Sequence, residues 1–320
     1  MKLHPFFFAA AGVGRSAGCA VGGCASLAGD LVIERGRAQV SASRERSRPI
    51  VASATSRLPV QPVIARAVLD VLEHGEGAAM PIARLVDLDP ALTVAVMRLA
   101  NSPHLGLSRK VASSRQALVM LGTKAVQSLA ASGTAAIVLG ANDVACPAGY
   151  WTRSLTTAVA SANIARRVGA QPEEAFSAGM LTEIGDLLLR QIDTLQHDEL
   201  REDFGAVYDR RGIDLETREL GASHVEVGAD LLDRWWFPER VVRAVRLHHE
   251  RPEVIAETLA RVVRCGAAVT ACVLRERSDD EQTFAESYAV FGVGVARCAV
   301  ICAEVEAELA GLVEMVQVAR

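Results

Sequence analysis

Aromatic residues make up only 4% of this 320-residue chain. β-Sandwiches and barrels lean on aromatic and β-branched side chains in alternation, and no such alternation persists here for more than a few residues. Also missing is an apolar run of about 20 residues, the length that spans a bilayer. The stretch 125–141 is uncharged but carries Gln127, Ser128, Ser132 and Thr134, so it reads as a buried core helix. There is no P-loop, no dinucleotide-binding glycine pattern and no internal repeat. None of the seven cysteines (Cys19, Cys24, Cys146, Cys265, Cys272, Cys298 and Cys302) forms a CxxC pair. A basic surplus is lacking too. Net charge is −4, and residues 1–50 hold seven Lys/Arg against three Asp/Glu, which leaves −8 on the remaining 270 residues. An acidic body argues against nucleic acid as a partner, because phosphate contacts need a basic face.

What is present is Ala, Leu and Val, within a chain that is 50% hydrophobic. Small apolar residues suit helix-on-helix packing, so the expected fold class is all-α. Cys298 and Cys302 share a helix face at i,i+4, half of a soft-metal site; the simpler reading is small buried hydrophobes in a reducing cytoplasm. Lys2 followed by the apolar stretch Pro5 to Gly14 suggests a signal peptide, and Ser16-Ala17-Gly18-Cys19 a lipoprotein site. Arg15 interrupts that run, and Ser16 replaces the expected aliphatic residue, so a cytoplasmic location is expected. Residues 1–57, Gly- and Ala-rich and then Ser- and Arg-rich, read as a disordered segment.

From Leu58 onward the punctuation is that of a helix bundle. Pro62 opens a helix bearing Ile64, Val68, Leu69 and Leu72. Asp89-Pro90 is an N-cap with Pro at the first helical position, ahead of Leu92, Val96 and Leu99. Ser113 and Gln116 have capping-box spacing, and Thr123 opens a small-residue helix through Leu139. After a hinge at Asn142–Gly149, Leu155, Ala158, Val159, Ala162 and Ala165 form an apolar stripe ended by Gly169. Pro172-Glu173-Glu174 restarts the chain, with Phe176, Met180, Ile184 and Leu187 as one buried face. Ser223 to Glu226 is a second capping box, Pro238 starts a helix carrying His248 and His249, and Pro252 starts a long one with Ile255, Leu259, Val262 and Val269. Trp235-Trp236-Phe237 is an aromatic cluster, half core and half contact surface. The organisation expected is helical subdomains at 58–141 and 142–275 with a helical extension at 276–320.

Several of these segments, in order, resemble the HDOD family. They are Leu58-Pro59…Pro62, Asp87-Leu88-Asp89-Pro90-Ala91-Leu92, Arg98-Leu99-Ala100-Asn101-Ser102, and Ser114-Arg115-Gln116-Ala117-Leu118. Ala178-Gly179-Met180-Leu181…Ile184-Gly185, Ser223-His224-Val225-Glu226-Val227-Gly228 and Trp235…Pro238…His248-His249 continue it, over about 58–275. The resemblance implies two packed helical subdomains, the second related to the HD phosphohydrolases. Those enzymes hold divalent metal with a His, a His-Asp pair, further histidines and a final Asp, so that the metal activates a bound water.

Carried over position by position, the metal pattern fails here. Arg153 stands where the first His is expected, Thr182-Glu183 replaces the His-Asp pair, and no acid lies near Gly266–Ala268. Only His224, His248 and His249 persist. The expectation is therefore a vestigial pocket of Arg153, Thr182, Glu183, His224, His248 and His249 without metal or other cofactor, in which Glu183 pairs with Arg153 and His248 points inward onto a backbone carbonyl. His224, beside its capping box, is expected to bond a neighbouring loop. The implied function is that of a non-catalytic bacterial regulator binding other signalling proteins, with neither nucleic acid nor membrane as partner and an oligomeric state the sequence leaves open. The alternatives are a metal-dependent phosphohydrolase with a rearranged ligand set, and a nucleotide-binding sensor in which Arg153 reads a phosphate.

Overall fold

Every regular element among the described residues is helical, as composition and periodicity require. The computed structural model describes residues 79–106, 109–122, 149–204, 210–274 and 295–318, with parts of 47–71 and 125–147. In chain order the helices are α1 (Ala79–Asp87), α2 (Pro90–Ala100), α3 (114–122), α4 (Tyr150–Val168), α5 (Pro172–Met180), α6 (Ile184–Ile192), α7 (Thr194–Phe204), α8 (Arg210–Leu220), α9 (His224–Arg234), α10 (Glu239–Leu247), α11 (Thr258–Leu274) and α12 (Val295–Val318).

The caps behave as their chemistry dictates. The Asp89 carboxylate accepts from Leu92 N–H at 2.9 Å and from Gln61 N–H at 2.7 Å, which starts α2 and ties it to the preceding strap. Ser113 accepts from Gln116 N–H at 3.1 Å, but the Gln116 side chain reaches back to Ala112 N–H rather than to Ser113. At α9 the box is complete in both directions, from Ser223 to Glu226 and back. Gly169 closes α4 in the left-handed conformation that glycine adopts without strain.

Three expectations need correction. The face from Phe176 to Leu187 does not belong to one helix: the chain breaks at 181–183, where the Thr182 hydroxyl donates to Gly179 O at 2.8 Å and ends α5. The long helix begins at Thr258 rather than Pro252, because Ile255 takes an extended conformation and is fully buried, leaving Pro252–Val254 as a single 3₁₀ turn. Order also starts before Leu58. Ser47 and Val51 are buried, the Ser47 hydroxyl bonds Asp230, and Arg234 donates to Val51 O, so that end of the segment expected to be disordered packs on α9. Residues 1–46, most of the helix expected over Thr123–Leu139, and 142–145 of the hinge lie outside the described residues.

The core forms two clusters. One runs without interruption from Ile64, Leu92 and Met97 to Leu187, Val227 and Val241, so the two helical groups share an interior. The other joins α4, α11 and α12 through Val159, Ile164, Val262, Val269, Ile301 and Val305. Small residues set the spacing. A methyl group at Gly185 would overlap the His224 carbonyl and stand 2.7 Å from Gly228 N, so α6 and α9 meet backbone to backbone.

That contact yields a prediction. Gly185→Ala should lower stability by about 3 kcal/mol, the upper range for overpacking. Gly169→Ala, which adds a methyl into open space at φ +70, should cost about 1–2 kcal/mol from backbone strain alone. Urea denaturation of the two variants checks the order.

Candidate functional site

The six residues expected to line the old pocket come from four places. Arg153 lies in the first turn of α4, Thr182 and Glu183 in the α5–α6 break, and His224 opens α9. His248 is the C-cap of α10, and His249 follows it. The capping box fixes where α9 starts, and Gly185 lets α6 come close enough to set Glu183 beside it. All six are buried.

Arg153 Nε lies 3.5 Å from a Glu183 carboxylate oxygen, and each side chain is 6% exposed. The pairing expected across the old site is therefore formed. Thr182 is completely buried and turns its hydroxyl to Gly179 O, away from any role as a ligand. Arg264 of α11, donating to Glu250 O at 2.9 Å, brings a second guanidinium close enough to act on His249.

The three histidines cluster. Ring centroids are 5.4 Å apart for His224 and His248, 5.0 Å for His224 and His249, and 4.1 Å for His248 and His249. His248 Nδ1 lies 2.6 Å from Val245 O, as its place on the Val241–Val245 stripe implied. Its Nε2 is buried with no hydrogen-bond partner. His224 bonds a helix side chain rather than a loop: its Nδ1 is 2.7 Å from Glu216 of α8, whose carboxylate also accepts from His224 N–H at 2.9 Å. Behind it, Asp186 meets His197 Nε2 at 2.8 Å, with both residues buried.

These surroundings divide the protons among the rings. Burial acts to lower the His224 pKa, but the Glu216 carboxylate, with Glu183 and Asp186 behind it, raises it above 6.5. Burial first, and then the positive charge of His224, push His248 down to about 3. The same causes hold His249 well below its ordinary value, with Arg264 and Arg153 adding to them. A proton in this cluster is therefore favoured on His224 over His248 or His249.

Sequence reasoning did not single out Glu216, Asp186, His197 or Arg264. Asp186 had a signal, since a carboxylate inside the apolar run Ile184–Leu189 demands a buried partner. Glu216 had none, because its reach to His224 depends on how α8 and α9 turn at Gly221.

A two-metal hydrolytic centre does not fit these residues. Thr182-Glu183 holds the position of the expected His-Asp pair, Gly266–Ala268 offers no carboxylate, Glu183 faces Arg153, and the Arg153 and Arg264 guanidiniums stand nearby. One ion is a different case. A nitrogen from each of His224, His248 and His249 lies within 4.8 Å of the others, and the Glu216–His224 bond is the kind that orients a ligating imidazole.

Two outcomes follow for stability. Arg153→Ala and Glu183→Ala should each cost about 3–5 kcal/mol by stranding a buried charge, and the double variant clearly less than their sum; denaturant titration of the four proteins measures the coupling. The second outcome is a pH dependence. Below about pH 6.5 the unfolded chain protonates His248, while the folded chain refuses that proton until about pH 3. The stability contributed by its neutral form is thus complete above 6.5 and lost on acidification, at roughly 1.4 kcal/mol per pH unit. His224 has the opposite sign: its raised pKa contributes stability that is full below 6.5 and lost as pH rises through the folded value. His248→Gln should therefore flatten the loss of stability between pH 6.5 and 4 relative to the parent, leaving the change above 6.5 nearly untouched.

The chain that carries this geometry has relatives among known proteins. It is similar to an uncharacterized protein of Treponema pallidum (strain Nichols), 24% identical over 216 residues, which cover 65% of this chain and 41% of that relative. The chain thus spans about two fifths of that relative's length. The crystal structure of the MmoQ response regulator from Methylococcus capsulatus str. Bath matches with a TM-score of 0.61 at 28% identity, over 78% of this chain and 98% of that one. A virulence factor of Campylobacter jejuni subsp. jejuni also gives a TM-score of 0.61, over 78% and 91% of the two chains, and at 14% identity shows the fold alone. Residues 58–251 match the HDOD domain, beginning where the resemblance in the sequence begins and ending before α11. With more than half of its length matched, the chain belongs to the HDOD domain family.

Proposed function

We propose that this chain is a non-catalytic regulator that acts in bacterial signal transduction by binding other proteins in the cytoplasm. The observation that carries this reading is the buried Arg153–Glu183 pair, at positions where the family resemblance would put metal ligands. The likeness to a response regulator at 28% identity supports the signalling role. Trp236 supports a binding role: it is 43% exposed and held at φ +58, a costly conformation for a bulky residue. Its carbonyl accepts from Arg109 N–H at 2.9 Å, and Arg109 is anchored in turn on Asp233. Trp235 and Phe237, on either side, are buried. No helix among the described residues is long and apolar enough to cross a membrane.

A second reading is favoured by one observation, the partnerless Nε2 of His248 inside a three-histidine cluster. Three imidazoles of this kind hold a single divalent ion such as Zn²⁺, which here would brace α9 against α10. A nucleotide sensor using Arg153 for a phosphate has less support, because that guanidinium is buried on Glu183.

Hydrolysis separates regulator from enzyme. The purified chain, supplied with Mn²⁺ or Fe²⁺, should turn over neither bis(p-nitrophenyl) phosphate nor cyclic dinucleotides above buffer. Turnover that disappears in His224→Ala would establish a phosphohydrolase and end the regulatory reading.

A further inference from the structure

Four of the seven cysteines fall on a single helix–helix interface outside the histidine site. Helix α12 lies over α4 and α11. Its apolar face packs Ile301 and Val305 into the second core cluster, and its polar edge pairs Glu304 with Arg167 and Glu308 with Arg166. Cys265 and Cys272 stand seven residues apart on α11, two turns along one face. Cys298 and Cys302 stand one turn apart on α12. Cys265 and Cys298 are buried, whereas Cys272 and Cys302 are both partly open to solvent. Cys272 and Cys302 both pack against the second core cluster and are side-chain neighbours across the α11–α12 interface. The four sulfurs make no metal cage, since among the described residues only the histidine cluster brings three ligand atoms together.

We propose that Cys272 and Cys302 are a peroxide-responsive dithiol pair whose oxidation locks α12 onto α11. This inference is independent of the functional reading above. Reactivity follows thiolate character and access. The neighbouring Cys272 thiol lowers the Cys302 pKa, against the opposing effects of burial and of Glu306. Burial raises Cys298 and pushes Cys265 up to about 12, which disfavours the thiolate at both.

The chemistry balances with hydrogen peroxide as the oxidant. The Cys302 thiolate attacks one peroxide oxygen; an S–O bond forms, the O–O bond breaks, and the departing hydroxide takes up the proton Cys302 released. The Cys272 sulfur then attacks the sulfenic sulfur; the S–S bond forms, the S–O bond breaks, and water leaves with the Cys272 proton. The pair loses two electrons, and one peroxide becomes two waters.

The test uses the full reduced chain, treated with hydrogen peroxide, blocked with N-ethylmaleimide and mapped by mass spectrometry without reduction. The expected product is the peptide of Cys272 joined to that of Cys302. Before oxidation Cys302 should alkylate about tenfold faster than Cys298. In Cys272→Ser, dimedone should trap a sulfenic acid on Cys302, and Cys298→Ala should retain the cross-link, with circular dichroism confirming helix content in each variant. Peroxide that leaves Cys272 and Cys302 free to alkylate in the parent, or a dominant disulfide through Cys265 or Cys298, would overturn the proposal.

Discussion

A buried guanidinium needs its charge compensated, and Arg153 finds that compensation in Glu183. The positions of several elements depend on this pair. It bridges the first turn of α4 to the α5–α6 break, where Thr182 and Gly179 end one helix and Glu183 starts the next. Around it the interior balances charge in a second way, with the Glu216 carboxylate favouring the protonated form of His224 while burial disfavours a proton on His248 and His249. Such arrangements contribute little net stability compared with an apolar core of the same shape. What they do is fix geometry, since losing either partner leaves a charge with nowhere to go.

The histidines are placed by backbone contacts rather than by their own chemistry. Gly185 allows α6 to touch the His224 carbonyl, and the Ser223–Glu226 box sets the first residue of α9. The low aromatic content and the abundance of Ala and Gly have the same origin. Helices that approach this closely leave no room for large side chains, so the core fills with many small contacts instead of a few bulky ones.

Much of this was legible from residue order. Asp89-Pro90, the second capping box and Gly169 announced helix ends because caps are local chemistry. The inward turn of His248 followed from its stripe with Val241 and Val245, and the Arg153–Glu183 pair from the mismatch with the metal pattern. The break at 181–183 was hidden because Met180, Ile184 and Leu187 keep helical spacing across it, and periodicity alone does not register an interruption that preserves phase. Glu216 was hidden for a different reason, since a contact between side chains of successive helices depends on the turn between them. The packing of Ser47 and Val51 on α9 was masked by the polar composition around them, as one buried turn carries too few residues to show a period.

The central claim is that the pocket of Arg153, Glu183 and the three histidines is held together by its own side chains and needs no ion. Metal content by mass spectrometry, read beside the melting temperature before and after a strong chelator, tests this most directly. The account predicts well under one Mn, Fe or Zn per chain and an unchanged melting temperature. One ion per chain, lost to the chelator together with several degrees of stability, would contradict it and assign the three histidines to a metal.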